Sequence, residues 1–85
     1  GFAEPLPVAR MELGRLLLKQ GQFEEAHRVA AGFDHPQPII FLSFLPESLV
    51  LRIRAAEGMN RPDLASEYRE RLRGLGRLDL IETLE

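Results

Sequence analysis

The sequence predicts an all-α fold of four helices in two antiparallel hairpins, followed by a short C-terminal tail or helix. Leu occurs 15 times and Ala 8 times, whereas Val, Ile and Thr together occur 8 times, and this balance favours helix over sheet. Six prolines divide the chain into short segments, in which apolar residues recur at helical spacing. We expect one domain over residues 1–85, with a first unit at about 6–35, a second at about 39–76 and a tail at 77–85.

The first hairpin follows Pro5 and Pro7, which suit a first helical turn because that turn needs no N–H from them. Its first helix ends at Gly21. The stripe predicted on one side of this helix is apolar at four of its five positions and comprises Ala9, Leu13, Leu16, Leu17 and Gln20. The stripe predicted for the second helix comprises Phe23, Ala26, Val29, Ala30 and Phe33. Because the turn between them has only one or two residues, the two helices are predicted to run antiparallel.

The run Ile39–Leu45 (IIFLSFL) fits either a buried strand or a buried helix. We favour a helix, because the chain offers no second strand to pair with it. The run forms either core between the two hairpins or an interface with another protein, and both uses are compatible.

The second hairpin continues after Pro46, where a helix kinks or restarts. Gly58–Asn60 separates its two helices, and Pro62 opens the second of them. The predicted core residues are Leu49, Ile53 and Ala56 in the third helix and Ala65, Tyr68, Leu72 and Leu75 in the fourth. The tail either docks, frays or leads into another element, and its apolar face comprises Leu80, Ile81 and Leu84.

Composition excludes several classes of protein. The chain has no Cys, which removes disulfides and Cys-based metal or redox sites. Eleven Lys and Arg against thirteen Asp and Glu give a net charge of −2, so we expect no nucleic-acid partner. The longest charge-free stretch, Pro36–Pro46, is too short to span a bilayer, and no signal-peptide pattern is present. We therefore expect a cytoplasmic protein with no membrane partner.

No catalytic, metal or cofactor site is predicted. The two histidines, His27 and His35, lie eight residues apart and lack convergent partners in the sequence. We place His27 at the solvent edge of the second helix and His35 in a loop. No serine lies in a nucleophile motif and no glycine-rich phosphate loop is present, so we expect a protein that is not an enzyme.

Residues 50–77 hold seven arginines against four acids. Such a face binds an acidic partner or RNA, or it is a solvated helix surface crossed by salt bridges. We favour salt bridges, Glu67–Arg71 and Glu70–Arg73 among them, because no aromatic residues are interleaved for base stacking. The seven are Arg52, Arg54, Arg61, Arg69, Arg71, Arg73 and Arg77.

The run LGRLLLKQGQFEEA combines a Leu-Gly pair, a large residue one turn later, a turn glycine, an aromatic residue and an alanine. These residues are Leu13, Gly14, Leu17, Gly21, Phe23 and Ala26. The arrangement resembles the tetratricopeptide repeat. A second unit follows, in which Asn60 replaces the turn glycine and Pro62 the aromatic. Phe23 and Pro62 occupy corresponding positions of the two units and are 39 residues apart. We call this separation the repeat offset. Gly14 and Ala26 are expected to let the two helices of the first unit approach closely.

The resemblance implies a right-handed helical solenoid whose inner face binds proteins. We expect a protein–protein interaction module, a fragment or C-terminal part of a larger helical-repeat protein, that takes an extended or helical peptide with acidic groups. A solvated or intramolecular face would show the same pattern. The alternative is a structural unit that self-associates or packs on its parent protein. The inner-face residues that the resemblance implies are Val8, Met11, Arg15, Leu18, Lys19 and Arg54.

Overall fold

The computed structural model describes residues 7–34 and 44–84, and these ranges form five α-helices and one 3-10 turn. The helices are α1 (Pro7–Lys19), α2 (Phe23–Ala31), α3 (Leu45–Gly58), α4 (Pro62–Gly74) and α5 (Leu78–Leu84), and the 3-10 turn spans Gly32–Asp34. No strand occurs in the described ranges, so the all-α prediction is confirmed. His35 and residues 39–43 of the Ile39–Leu45 run lie outside the described residues, and the predictions made for them stay predictions.

The same backbone turn joins α1 to α2 and α3 to α4. Its central residues, Gly21 and Asn60, are separated by the repeat offset and have φ angles of 78° and 60°. In both turns the N–H of this residue bonds the carbonyl three positions back, and the following N–H bonds the carbonyl five positions back. Asn is one of the few residues that enters this left-handed region at modest cost. Asn60 therefore does what the turn glycine does in the first unit.

The contacts between helices define their directions. At the start of α1, Arg10 donates a hydrogen bond to the carbonyl of Val29 near the end of α2, so these two helices run antiparallel. At the end of α3, Gly58 lies against the ring of Phe23 at the start of α2, so α2 and α3 are also antiparallel. Helix α3 contacts α1, α2, α4 and α5, and this central position places α1 and α3 side by side.

The core consists of two groups of buried side chains, and α3 contributes to both. The N-terminal cluster comprises Met11, Ala26, Ala30, Phe33, Leu51 and Ala55. The C-terminal cluster comprises Leu49, Ile53, Ala56, Ala65, Tyr68, Leu72, Ile81 and Leu84. The stripe predicted for α3 is thus confirmed. The stripe predicted for α2 is confirmed at Ala26, Ala30 and Phe33 and, partly buried, at Phe23, whereas Val29 is half-buried and belongs to neither cluster. Helix α5 docks through the tail residues Ile81 and Leu84.

The stripe predicted for α1 is confirmed at Leu17, which is half-buried and packs against the N-terminal cluster, and is wrong at its other four residues. Leu13 and Leu16 are 46% and 51% exposed, and Ala9 and Gln20 are also exposed. The buried residues of α1 are Pro7, Met11 and Gly14. Helix α1 carries leucine around much of its circumference, so contact with α2 and α3, rather than its own periodicity, selects the buried face. Leu75, predicted in the α4 stripe, is 46% exposed as well, because it follows the end of that helix.

The close approach predicted at Gly14 involves a different helix from the one expected. A Cβ added to Gly14 would lie 2.9 Å from a terminal methyl carbon of Leu51 on α3. The small residue therefore admits α3 rather than α2 of its own unit. Ala26, predicted to allow the same approach from α2, is fully buried in the N-terminal cluster.

Candidate functional site

A groove with a volume of about 230 Å³ runs between α1, α3 and α5, and we refer to it as the α1–α3 groove. Five of its lining side chains are apolar and three are charged. The lining residues are Met11, Arg15, Leu18, Glu47, Val50, Leu51, Arg54 and Leu80.

Helical spacing explains why these residues share one surface. On α1, Met11, Arg15 and Leu18 follow one another at i, i+4 and i+7, which places them on one face. On α3, Glu47, Leu51 and Arg54 have the same spacing, and Val50 is an additional lining residue at i+3. Helix α5 contributes Leu80 to the lining of the groove, because α5 packs on α3.

The groove contains four of the six residues that the sequence predicts for partner binding. These four are Met11, Arg15, Leu18 and Arg54. Val8 and Lys19 are exposed near the two ends of α1 and do not line the groove. Met11 is only 2% exposed and belongs to the core, so it forms the floor of the groove. A binding role for all six residues stays a prediction.

Among the residues that the structure describes, the two arginines at the groove are held by exposed ion pairs. Arg15 lies 2.9 Å from Glu12, and Arg54 lies 3.4 Å from Glu57, and all four side chains are substantially exposed. Exposed pairs of this kind contribute about 0–1 kcal/mol each. Both guanidinium groups can therefore turn to a carboxylate of a bound partner at little cost.

Glu47 is the functional candidate that sequence reasoning missed. Its Oε2 atom is buried and has no hydrogen-bond partner among the described residues, while Oε1 lies 3.9 Å from Arg77. A buried acceptor without a partner costs about 1–3 kcal/mol, and the Glu47 side chain as a whole is 35% exposed, so rotation of its carboxylate toward an added N–H donor is favoured. The repeat offset makes Glu47 the equivalent of Val8, which the prediction did include, so the same register could have identified it.

The size of the groove indicates what fits there. Small-molecule sites occupy roughly 300–1,000 Å³, so a volume of about 230 Å³ accommodates one or two side chains rather than a cofactor. Residues 7–34 and 44–84 contain no group of three or more potential metal ligands. Two larger depressions, of about 630 and 380 Å³, lie at the turn ends of the helices and are lined by charged side chains of both signs.

A second polar cluster joins the 3-10 turn to α3 and α4. Arg52 is fully buried and donates two hydrogen bonds to the carboxylate of Asp34, at 2.7 and 3.0 Å. Arg71 donates two further bonds to the same carboxylate, at 2.8 and 3.2 Å. Burial raises the pKa of Asp34, but the hydrogen bonds from both arginines outweigh this effect and hold the pKa well below its ordinary value. The ring of Tyr68 packs against both guanidinium groups.

His27 belongs to the margin of this cluster and is not at the solvent edge of α2 as predicted. Its side chain is half-buried, and its Nε2 atom lies 2.7 Å from the hydroxyl of Tyr68. Burial, followed by the nearby charges of Arg52 and Arg61, lowers the pKa of His27 against a smaller raising effect of Asp34. The geometry gives this imidazole a packing role between α2 and α4.

The predicted salt-bridged face is present with one change of partner. Each of the seven arginines between residues 50 and 77 contacts a carboxylate. The predicted Glu70–Arg73 pair is confirmed. The predicted Glu67–Arg71 pair is wrong, because the guanidinium of Arg71 is engaged by Asp34.

Comparisons with protein families, curated proteins and solved structures gave no match to this chain. Within the described part of the chain, no helix has both the length and the apolar character needed to cross a membrane.

Proposed function

We propose that this chain is a protein-interaction module without enzymatic activity, built from two tetratricopeptide-like helical hairpins, and that it binds a peptide in the α1–α3 groove. The observation that carries this proposal is the groove itself, in which apolar side chains lie between two exposed arginines and a buried acceptor. The matching turns at Gly21 and Asn60 support the repeat, because they make Arg15 and Arg54 equivalent positions of neighbouring helices.

The groove specifies the chemistry of the peptide. Glu47 and Arg54 lie seven residues apart on α3, which is about 10 Å along the axis at roughly 1.5 Å per residue. Alternate side chains of an extended peptide point to the same side, so the first and fifth residues of a pentapeptide are about 13 Å apart at roughly 3.3 Å per residue, and their long side chains reach both ends of this interval. The favoured peptide thus presents an N–H donor to Glu47, an apolar side chain to Val50 and Leu51, and a carboxylate to Arg54.

An NMR titration tests this proposal. The probe is a capped, extended pentapeptide that carries lysine, leucine and glutamate at successive alternate positions, and its control has the same composition with the lysine and the leucine exchanged, which places a charge at Val50 and Leu51 in either chain direction. We expect the probe to shift the backbone amides of Arg15, Leu51 and Arg54 with a weak, saturable affinity. A probe that leaves these amides unmoved, or that shifts them no more than the exchanged control peptide does, contradicts the proposal.

A matched pair of variants assigns the binding to the groove. Arg54→Glu should weaken binding about tenfold, since a charge-assisted contact contributes about 1.5 kcal/mol and is replaced by repulsion. Arg73→Glu is the control, because Arg73 is similarly exposed and also pairs with a glutamate one turn away, but lies on α4 outside the groove. Equal weakening by both variants would indicate nonspecific attraction.

A further inference from the structure

Helix α1 presents an apolar stripe to solvent on the side away from the N-terminal cluster. Ala9, Leu13 and Leu16 are spaced at i, i+4 and i+7, and all three are exposed. We call these three residues the α1 outer stripe. Leucines that are about half exposed on one continuous helix face are a surface that a second element can cover.

The internal repeat shows how the equivalent surface of α3 is covered. At the repeat offset, the three positions of the α1 outer stripe correspond to Ser48, Arg52 and Ala55. All three are fully buried. Ala55 is buried with residues of α2 in the N-terminal cluster, and Arg52 is bound to the 3-10 turn that follows α2. The preceding helix and its C-terminal turn therefore cover this face of α3.

We infer that the α1 outer stripe is the docking face for an amphipathic helix of a further repeat unit, packed on α1 as α2 packs on α3. The inference goes beyond peptide binding in the groove, since it concerns another surface and another occupant. Helix α2 uses alanines for this contact, Ala26 and Ala30, so the occupant is expected to present small apolar residues. It is also expected to carry a basic residue, because Leu51 of α3 corresponds to Glu12, an exposed acid at the edge of the stripe.

The extent of the stripe favours a helix of the same polypeptide over a second copy of the chain. A stable interface between separate proteins uses roughly 20–30 residues on each side, and the α1 outer stripe has three. A helix that is covalently connected to α1 avoids most of the entropy cost of association. The small face therefore fits an intramolecular neighbour, as in helical solenoids, where each unit contacts the units beside it.

A duplicated variant tests the inference with the chain's own sequence. It consists of residues 1–44 followed by residues 6–85, so that one additional repeat unit precedes the original α1. The copied α2 then precedes the original α1 by the same number of residues along the chain as α2 precedes α3 in the wild type. We expect one cooperative thermal transition with a higher midpoint than that of the wild type. Amide exchange in the original α1 should slow by about tenfold or more, the effect of burying one leucine.

A double substitution in both backgrounds gives the decisive comparison. Leu13→Gln with Leu16→Gln preserves helix propensity and should change the wild-type midpoint little, because both side chains are exposed. In the duplicated protein, the same substitutions in the original α1 should abolish the increase in the thermal midpoint and the slowing of amide exchange. A duplication without any gain, or equal effects of the substitutions in both backgrounds, overturns the inference. So does sedimentation that shows the wild type dimerising through these leucines, since a second copy would then be the occupant.

Discussion

At the scale of single residues, Arg52 is the one charged side chain that is buried in the described part of the chain, and it pairs with Asp34. The guanidinium of Arg52 is fully buried, and besides Asp34 it bonds the hydroxyl of Ser48 at 3.0 Å. A buried cation requires a compensating carboxylate, because its desolvation is otherwise not offset. Asp34 provides that charge from the end of the 3-10 turn, and it thereby fixes α3 to the segment that follows α2.

We predict that Asp34→Asn lowers the free energy of unfolding by about 3 kcal/mol. This is the lower end of the roughly 3–5 kcal/mol found when a buried pair loses one partner, because the Asp34 side chain is itself 37% exposed. Urea unfolding at pH 7 measures the change. Asp63→Asn is the matched control, since Asp63 bonds an exposed arginine, and it should leave stability nearly unchanged. Similar losses for both variants would contradict the role assigned to the buried pair.

His27 makes stability depend on pH. Because the folded protein holds the pKa of His27 below its ordinary value, the unfolded chain binds the proton first as the pH falls. The corresponding stability is complete above the ordinary histidine pKa of about 6.5 and is lost as the pH falls through that value. His27→Gln removes the titration while its amide can still bond Tyr68.

We predict that the wild type loses stability between about pH 7.5 and pH 5.5, and that His27→Gln shows a smaller loss over the same interval. Unfolding by urea at a series of pH values measures both slopes. Asp34 does not contribute to this interval, because its pKa is lowered and its titration lies in strong acid. Identical slopes in the two proteins would show that His27 is not the group responsible.

Some of these residue-scale features were accessible from sequence and others were not. The Glu70–Arg73 pair follows from helical spacing alone, since residues three apart are neighbours. Asp34 and Arg71 are separated by 37 positions, and no local pattern connects them. A charge contact between two elements becomes predictable only when the packing of those elements is known.

At the scale of elements, a glycine at the end of α3 determines how closely α2 can approach. A Cβ added to Gly58 would lie 2.5–2.6 Å from three ring atoms of Phe23. These atoms belong to the base of the ring, so the whole side chain would have to move. Gly74, which ends α4 in the same way, has no neighbouring atom within 4 Å of an added Cβ.

We predict opposite effects of alanine at these two helix ends. Gly58→Ala should destabilise the protein, because overpacking costs about 1–3 kcal/mol and exceeds the gain in helix propensity. Gly74→Ala should be neutral or stabilise by up to about 1 kcal/mol, since alanine restricts the unfolded chain and meets no obstacle. Thermal unfolding followed by circular dichroism measures both. A stabilised Gly58→Ala would show that the Phe23 ring rotates away freely.

The faces of the helices were predictable in proportion to how sharply their apolar residues were patterned. In α2, Ala26 and Ala30 lie on one side, opposite charged residues, and Phe33 in the following turn extends the same buried face. In α1, Leu13 and Leu16–Leu18 cover too much of the circumference for periodicity to choose a face. The structure selects the side that contains Gly14, because only that side lets α3 approach.

At the scale of the whole molecule, the candidate site depends on an arrangement that no single segment encodes. Arg15 and Arg54 could be assigned to equivalent positions of the two units from sequence, because the repeat offset is visible there. Leu80 could not be assigned to the groove, because its place depends on the docking of α5 against α3. The residues on repeated positions were therefore predictable, and the residue supplied by the tail was not.

Helix α3 also couples the two halves of the core. It contributes Leu51 and Ala55 to the N-terminal cluster and Leu49, Ile53 and Ala56 to the C-terminal cluster, so neither cluster can lose its structure while α3 stays in place. Tyr68, the one tyrosine in a chain without Trp, lies in the C-terminal cluster, and its fluorescence reports on that cluster and on its contact with His27 of α2. Far-UV circular dichroism reports on all helices.

We predict that Leu51→Ala, in the N-terminal cluster, shifts the Tyr68 transition as far as the circular dichroism transition. Leu51 is 4% exposed, and its truncation should cost about 2–4 kcal/mol. A chain of 85 residues has a total stability of roughly 4–13 kcal/mol, so this loss leaves the variant folded at 25 °C over most of that range. Leu78→Ala is the control, because Leu78 is 57% exposed on α5 and its truncation should move neither transition.

Unfolding in urea with both probes is the measurement, and coincident curves establish one cooperative unit. If Leu51→Ala shifts the circular dichroism curve but leaves the tyrosine curve in place, the two clusters unfold separately and α3 does not couple them.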